Sequence, residues 1–184
     1  MIGRAALIAL ALVGVVETAR FAWIQGKGWL GQHLMERAWR QADAAVPSPW
    51  PDARTRPAAR LFVPELKLDR LVVEGMATPN LAWGPGIATG DNGHTVIAAH
   101  RDTHFAFLDR LAPGHHVELA RPGGATQRWR VTGRRIVDAR VTELDMTAPG
   151  PLLTLVTCWP LDAVEAGGPL RLVVSAVPAN GDKS

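Results

Sequence analysis

The sequence predicts an all-β domain, a barrel or sandwich of short strands, carried behind an apolar N-terminal helix. Three observations predict it. From Leu61 to Val177 the chain alternates short apolar runs with Gly/Pro turns. Arg128, Arg130 and Thr132 alternate with Trp129 and Val131, a period of two that gives one wet and one buried face. Met1-Ile2-Gly3-Arg4 precedes an unbroken apolar run from Ala5 to Val16.

At 184 residues, 47% hydrophobic and 20% charged, the chain has room for one domain plus modest extras and is not of disordered composition. Twenty Lys+Arg against seventeen Asp+Glu give a net charge of only +3. A nucleic-acid binder carries a denser basic stripe with interleaved aromatics, and no nucleic-acid partner is expected. One cysteine excludes an internal disulfide framework and a multi-cysteine zinc site.

A short positive leader before an apolar stretch is an export pattern. Twelve helical residues reach about 18 Å, short of a hydrocarbon core of about 30 Å. Extending the run to Ile24 gives twenty residues and takes in Glu17 and Arg20, three apart on one helical face and able to pair. Those two occupy the places where a cleavage site wants small residues, so residues 1–25 read as an uncleaved anchor with Arg4 inside, in preference to a cleaved signal peptide, which stays open. A buried amphipathic helix is the plainer alternative. Trp23, Trp29, Trp39 and Trp50 put four of seven tryptophans in the first fifty residues, as a membrane–water boundary favours. Leu30, Leu34 and Ala38 recur every four residues, so Lys27 to Arg40 reads as an amphipathic juxtamembrane helix or as a stripe packed on the main domain. Val46-Pro47-Ser48-Pro49-Trp50-Pro51 and Pro57 then form a stiff linker, so residues 26–60 are helix and linker.

The domain itself, residues 61–178 before a tail at 179–184, has candidate strands at Leu61–Val63, Leu71–Glu74, Thr95–Ala99, His116–Ala120, Arg128–Val137, Leu152–Thr157 and Leu170–Val177. Only Phe105–Leu111 reads as helical, with Phe107 and Leu111 four apart. The arginines at 121, 128, 130, 134, 135 and 140 read as outward-facing residues that block edge pairing.

Cys158 ends an apolar strand just before Trp159-Pro160. A lone cysteine is often a small buried hydrophobe. In an oxidising compartment, at a strand's rim, it is a liability unless it is used. A thiol with an ordinary pKa near 8.5 is only a few per cent thiolate at neutral pH and needs cationic company. His100 follows a strand and Arg171 opens one. A unit charge about 6 Å away contributes about 3 kcal/mol at an effective dielectric of 20, or about two pKa units. Arginine holds developing charge on a carbonyl oxygen, and histidine protonates a leaving amine.

Thr154-Leu155-Val156-Thr157-Cys158 resembles the Thr-Leu-x-Thr-Cys signature of sortases. The thirteen-residue step to Arg171 and the fifty-eight residues back to His100 are similar to the family's spacing. Thr95-Val96-Ile97-Ala98-Ala99-His100-Arg101-Asp102-Thr103-His104-Phe105 resembles the histidine segment of Gram-negative, proteobacterial sortases. The Leu81–Gly86 turn and the anchor-plus-linker layout resemble that type too, although Ala99 stands where a glycine is common. The resemblance implies a closed eight-stranded β-barrel with short helices and cysteine transpeptidation without a cofactor. Cys158 would attack a carbonyl in a C-terminal Leu-Pro-x-Thr-Gly-like motif of a protein substrate. Arg171 would bind the oxyanion, His100 would move the proton, and Thr157 would contact the substrate. An amine acceptor would resolve the thioester. The domain would be periplasmic, tethered to the cytoplasmic membrane. The family would use Asp138–Pro151 to cradle the motif, with Val141 and Leu144 as its main apolar contacts.

Three further features invite readings. Pro49-Trp50-Pro51-Asp52 loosely resembles the lid of pilus sortases, with a plain linker the simpler reading. His94, His100 and His104 invite a metal, but no cysteine pair or carboxylate cluster completes a set, and none is expected. His115 and His116 read as solvated beside the Pro113-Gly114 turn. Three functional alternatives stay open: a thiol hydrolase using the same residues, a non-catalytic β-domain displayed on the membrane, and, least fittingly, an L,D-type transpeptidase.

Overall fold

The computed structural model describes residues 2–42, 46–144, 150–165 and 167–179. Eight strands close a barrel: β1 (Pro57–Val63), β2 (Leu68–Glu74), β3 (Gly86–Thr89), β4 (Thr95–Ala98), β5 (His116–Ala120), β6 (Gln127–Asp138), β7 (Leu153–Cys158) and β8 (Leu170–Pro178). Around the barrel they run β1-β2-β3-β4-β7-β8-β6-β5. The β2–β3 and β4–β7 pairs are parallel and the rest antiparallel. Inward residues from all eight strands, among them Leu61, Val72, Ile97, Leu119, Trp129, Leu155 and Val174, form one core with Phe105, Phe107, Leu108 and Leu111. Closure leaves no free sheet edge.

The seven anticipated strands are present, and the structure adds β3. Four residues between Pro85 and Gly90 carry too short a pattern to read as a strand. Neighbours make the strand: Gly86 pairs with Val73 and Ala98, and Ile87 with Glu74 and Ile97. A Cβ on Gly86 would lie 2.4 Å from Gly75 O, so this close parallel approach requires glycine. The anticipated helix at Phe105–Leu111 is instead a chain of turns ending in a 3₁₀ turn at Leu108–Arg110. Four apolar side chains in seven residues plug the core, and that packing outweighs helical periodicity. His116 is not simply solvated: its Nδ1 lies 3.0 Å from Glu65 Oε1.

The segments anticipated as anchor and juxtamembrane helix form one element, α1 (Ile2–Arg40). Glycines at 26, 28 and 31 do not break it. Up to Trp23 its side chains, where described, stand exposed, and Glu17 and Arg20 pair at 3.3 Å. It holds an 18-residue window of mean hydropathy 1.8, long and apolar enough to cross a membrane. From Gln25 onward α1 packs on the barrel. Its docking face is Gly28, Gly31, Met35 and Ala38, whereas Leu30 of the anticipated stripe stays 45% exposed. A Cβ on Gly31 would lie 2.9 Å from the Trp83 ring, so small residues let α1 sit close. Gln32 closes the seam, donating to Leu71 O (2.9 Å) and Trp83 O and accepting from Leu71 N (2.8 Å). Arg60 joins Asp69 (2.6 Å) and Glu36 (3.4 Å), tying β1 and β2 to α1.

Candidate active site

The strands decide which side chains meet. Cys158 is the last residue of β7 and lies directly opposite Arg171 on β8. Ala98 is level with Val156 across the parallel β4–β7 pair, so His100, two residues on, comes level with Cys158. Ala99 N donates to Val156 O (3.2 Å) and carries this pairing past the end of β4. Ile97, Ala99, Leu153, Leu155, Leu172 and Val174 point into the core. By alternation Cys158 and Arg171 turn to the outer face, with His100 next in the same alternation just past β4. Three adjacent strands thus bring the three residues to one end of the barrel wall. His100 is exposed, and Cys158 and Arg171 are half-buried, so the thiol is neither walled off nor fully solvated.

Local hydrogen bonds fix the frame. Arg171 Nη1 donates to Gly168 O (2.6 Å) and Leu170 O (2.8 Å), which leaves Nε and Nη2 without a protein acceptor among the described residues. His100 O accepts from Phe105 N (3.1 Å), closing the turn after the histidine. Trp159 N donates to Leu170 O (3.0 Å), extending the β7–β8 ladder past Cys158. These contacts hold a thiol, an imidazole and a guanidinium at one end of the barrel wall, the set of groups that acyl transfer can use.

Thr157, expected to contact the substrate through its backbone or its hydroxyl, turns that hydroxyl inward. It is 2% exposed, and its hydroxyl donates to Ala99 O at 2.7 Å. It faces inward because it alternates with Cys158, so its hydroxyl pins the residue before His100 to the strand carrying Cys158 and does not face a substrate. Arg101 is the residue that sequence reasoning missed. It is 6% exposed and donates to Pro160 O (3.0 Å), Ala163 O (2.8 Å) and Glu165 O (2.6 Å). It therefore clamps the β7–β8 loop between Cys158 and Arg171 to the chain after His100. The available signal was a second cation directly after His100, in a run otherwise absorbed as loop.

His94 Nε2 lies 2.9 Å from Thr154 Oγ1, under the β4–β7 pair. His104 is buried below α1, and burial, then the charges of Arg70 and His100, push its pKa down to about 4. Among the described residues no three or more His, Cys, Asp or Glu side chains converge as metal ligands. Trp50 packs on Trp83, ring centroids 4.8 Å apart, in the cluster of Met35, Leu71 and Val73. That cluster lies over β2, with β3 and β4 between it and Cys158, so this segment straps α1 to the barrel and does not cover the thiol. In the anticipated cradle Val141 is 84% exposed, Leu144 is half-buried, and 145–149 lie outside the described residues.

A family model described as a sortase domain matches residues 61–179. No curated protein matches the sequence. Solved structures with the same fold include a lid mutant of sortase A from Corynebacterium diphtheriae, 23% identical, with 84% of this chain and 96% of that one covered at TM-score 0.59. Sortase C-1 from Actinomyces oris is 21% identical over 82% and 97% of the two chains, at TM-score 0.58. SrtA sortase from the same organism is 24% identical over 66% and 79%, at TM-score 0.55.

Proposed function

The chain belongs to the sortase family, and from that premise we propose that it is a membrane-tethered cysteine transpeptidase of the Gram-negative type. One observation carries the reading: Cys158 on β7, Arg171 on β8 and His100, two residues past β4, share one end of the barrel wall. Cys158 Sγ attacks the carbonyl carbon of the scissile peptide in a C-terminal Leu-Pro-x-Thr-Gly-like sorting motif. The carbonyl π electrons move to oxygen, and the Arg171 guanidinium donates to that oxyanion. As the oxyanion collapses, the C–N bond breaks and His100 gives its proton to the departing amine. A thioester remains on Cys158. His100, now neutral, takes a proton from an incoming amine, which attacks the thioester and restores the thiolate. No cofactor enters these steps.

Two features support the tether. α1 is long and apolar enough to span a bilayer, and its exposed stretch ends where the barrel begins. Arg4 at its start fits a cytoplasmic N-terminus and so a periplasmic barrel, and the tryptophans at its far end suit a membrane–water boundary there. The test is intact-mass detection of a thioester on the full chain with a panel of sorting peptides, with and without an amine. A Cys158-dependent acyl adduct that moves to the amine is expected. Hydrolysed product alone, with amine present, would make the chain a hydrolase, and no adduct with any peptide would overturn the reading.

A further inference from the structure

The barrel meets α1 first at the turn after His100, where Gln25 Nε2 donates to Asp102 O at 3.0 Å. One residue earlier the apolar stretch ends. At about 1.5 Å per residue, Gln25 to Gln32 spans about 10 Å directly beyond that stretch and so takes in the phospholipid headgroup layer, about 5 to 8 Å deep. A polar cleft opens there between α1 and the barrel, lined by Gln25, Gly28, Trp29, Arg70, Thr103 and His104, with Gln32 behind. Among the described residues no carboxylate lines it.

We propose that this cleft holds the phosphate of a glycerophospholipid headgroup. This inference rests on the reading of α1 as a membrane anchor. His104 is 4% exposed, yet its Nε2 has no hydrogen-bond partner among the described residues, and neither has the buried Thr103 Oγ1. Buried polar atoms are rarely left so. Arg70 spends Nη1 on the neighbouring Asp69 O and pairs with no carboxylate among the described residues, Asp69 being held by Arg60. The second amide hydrogen of Gln25 is also free of the bond to Asp102. In the tautomer that protonates Nε2, His104 donates into the cleft with the Thr103 hydroxyl and the Gln25 amide beside one cation, which suits a group made only of acceptors. A phosphodiester qualifies, whereas an ammonium or a sugar ring brings donors of its own. Gly28 keeps the entrance open, since a Cβ there would lie 3.6 Å from His104 Nε2. Trp23 and Trp29, 67% and 71% exposed, flank the level of the cleft on α1, and Lys27 Nζ lies 5.1 Å from the Trp23 ring. Such side chains belong at a lipid interface.

The test uses the full chain in mild detergent. Native mass spectrometry measures retention of phosphatidylglycerol against a chain-matched, phosphate-free galactosyl diacylglycerol, with glycerol 1-phosphate as the water-soluble arm. The expected result is at least about tenfold preference for phosphatidylglycerol, lost in Arg70→Gln and in Gly28→Ala. Equal retention of the two lipids, or preference unchanged in folded Arg70→Gln, would overturn the site. Displacement by glycerol 1-phosphate at matched concentration would assign the cleft to soluble phosphates and overturn the lipid assignment. Flotation with galactolipid vesicles separates this failure from that of the anchor: a chain that does not float has no membrane anchor, whatever its cleft binds. Arg70→Gln should leave turnover of a soluble sorting peptide unchanged.

Discussion

Cys158 and Arg171 stand directly opposite each other across the antiparallel β7–β8 pair, so their separation is set by the sheet and not by a loop. Cross-strand partners hold their Cβ atoms about 5 Å apart, close enough for a long guanidinium to reach an oxygen developing beside the sulfur. The loop joining them cannot change that distance without breaking the ladder.

Removing that guanidinium should therefore damage chemistry more than binding. Arg171→Ala should lower kcat about 10²- to 10³-fold, the scale of losing an oxyanion donor, with a smaller change in KM. Arg171→Lys should recover little, because an ammonium does not reproduce the fork. Steady-state kinetics with a sorting peptide and an amine checks both, and Cys158→Ala should give no acyl adduct by mass.

Arg101 should act as a clamp. Replacing it with leucine leaves the carbonyls of Pro160, Ala163 and Glu165 without their donor and should destabilise the barrel by about 3 kcal/mol. Hydrogen exchange should rise most in residues 160–165. Uniform exchange across the barrel would show that Arg101 supports the core generally and not this loop.

Buried His104 makes stability depend on acid. Its pKa is near 4 in the folded chain, against about 6.5 when unfolded. Between those values the unfolded state binds more protons, so stability is full above about pH 6.5 and is lost as pH falls toward 4. Between pH 7.5 and pH 5 the loss should be about 2 kcal/mol in phospholipid-free detergent. Chemical denaturation of His104→Gln should show a flatter profile over that window. An unchanged slope would mean that His104 is not the group responsible.

Trp50→Ala separates a strap from a lid. Because Trp50 packs on Trp83 over β2, its loss should destabilise the docking of α1 by about 2 kcal/mol. It should leave the reaction of Cys158 with a thiol reagent within about twofold, since three strand steps separate them. A large rise in that rate would restore the lid.

Much of the chain was legible because its physics is local. Alternation marks β6, apolar runs between turns mark β4, β7 and β8, and an uncharged stretch after Arg4 marks the exposed half of α1. The candidate site was legible for a related reason: His100, Cys158 and Arg171 each sit at or just past the end of a readable strand. What was misread depended on partners far along the chain. β3 is a strand only because Val73 and Ala98 flank Gly86, and Phe105–Leu111 abandons helix because the barrel needs its aromatic side chains.

The sequence by itself determined that short strands would bury one face each, that one thiol would end a strand, and that an apolar helix would lead the chain, since period and composition act within a few residues. Only the tertiary structure decided that Thr157 points inward to Ala99, that Arg101 bridges two loops, and that α1 docks by Gly28 and Gly31 beside the histidine turn. Each of those depends on strand register and barrel closure, which join residues tens of positions apart and leave no periodic mark along the chain.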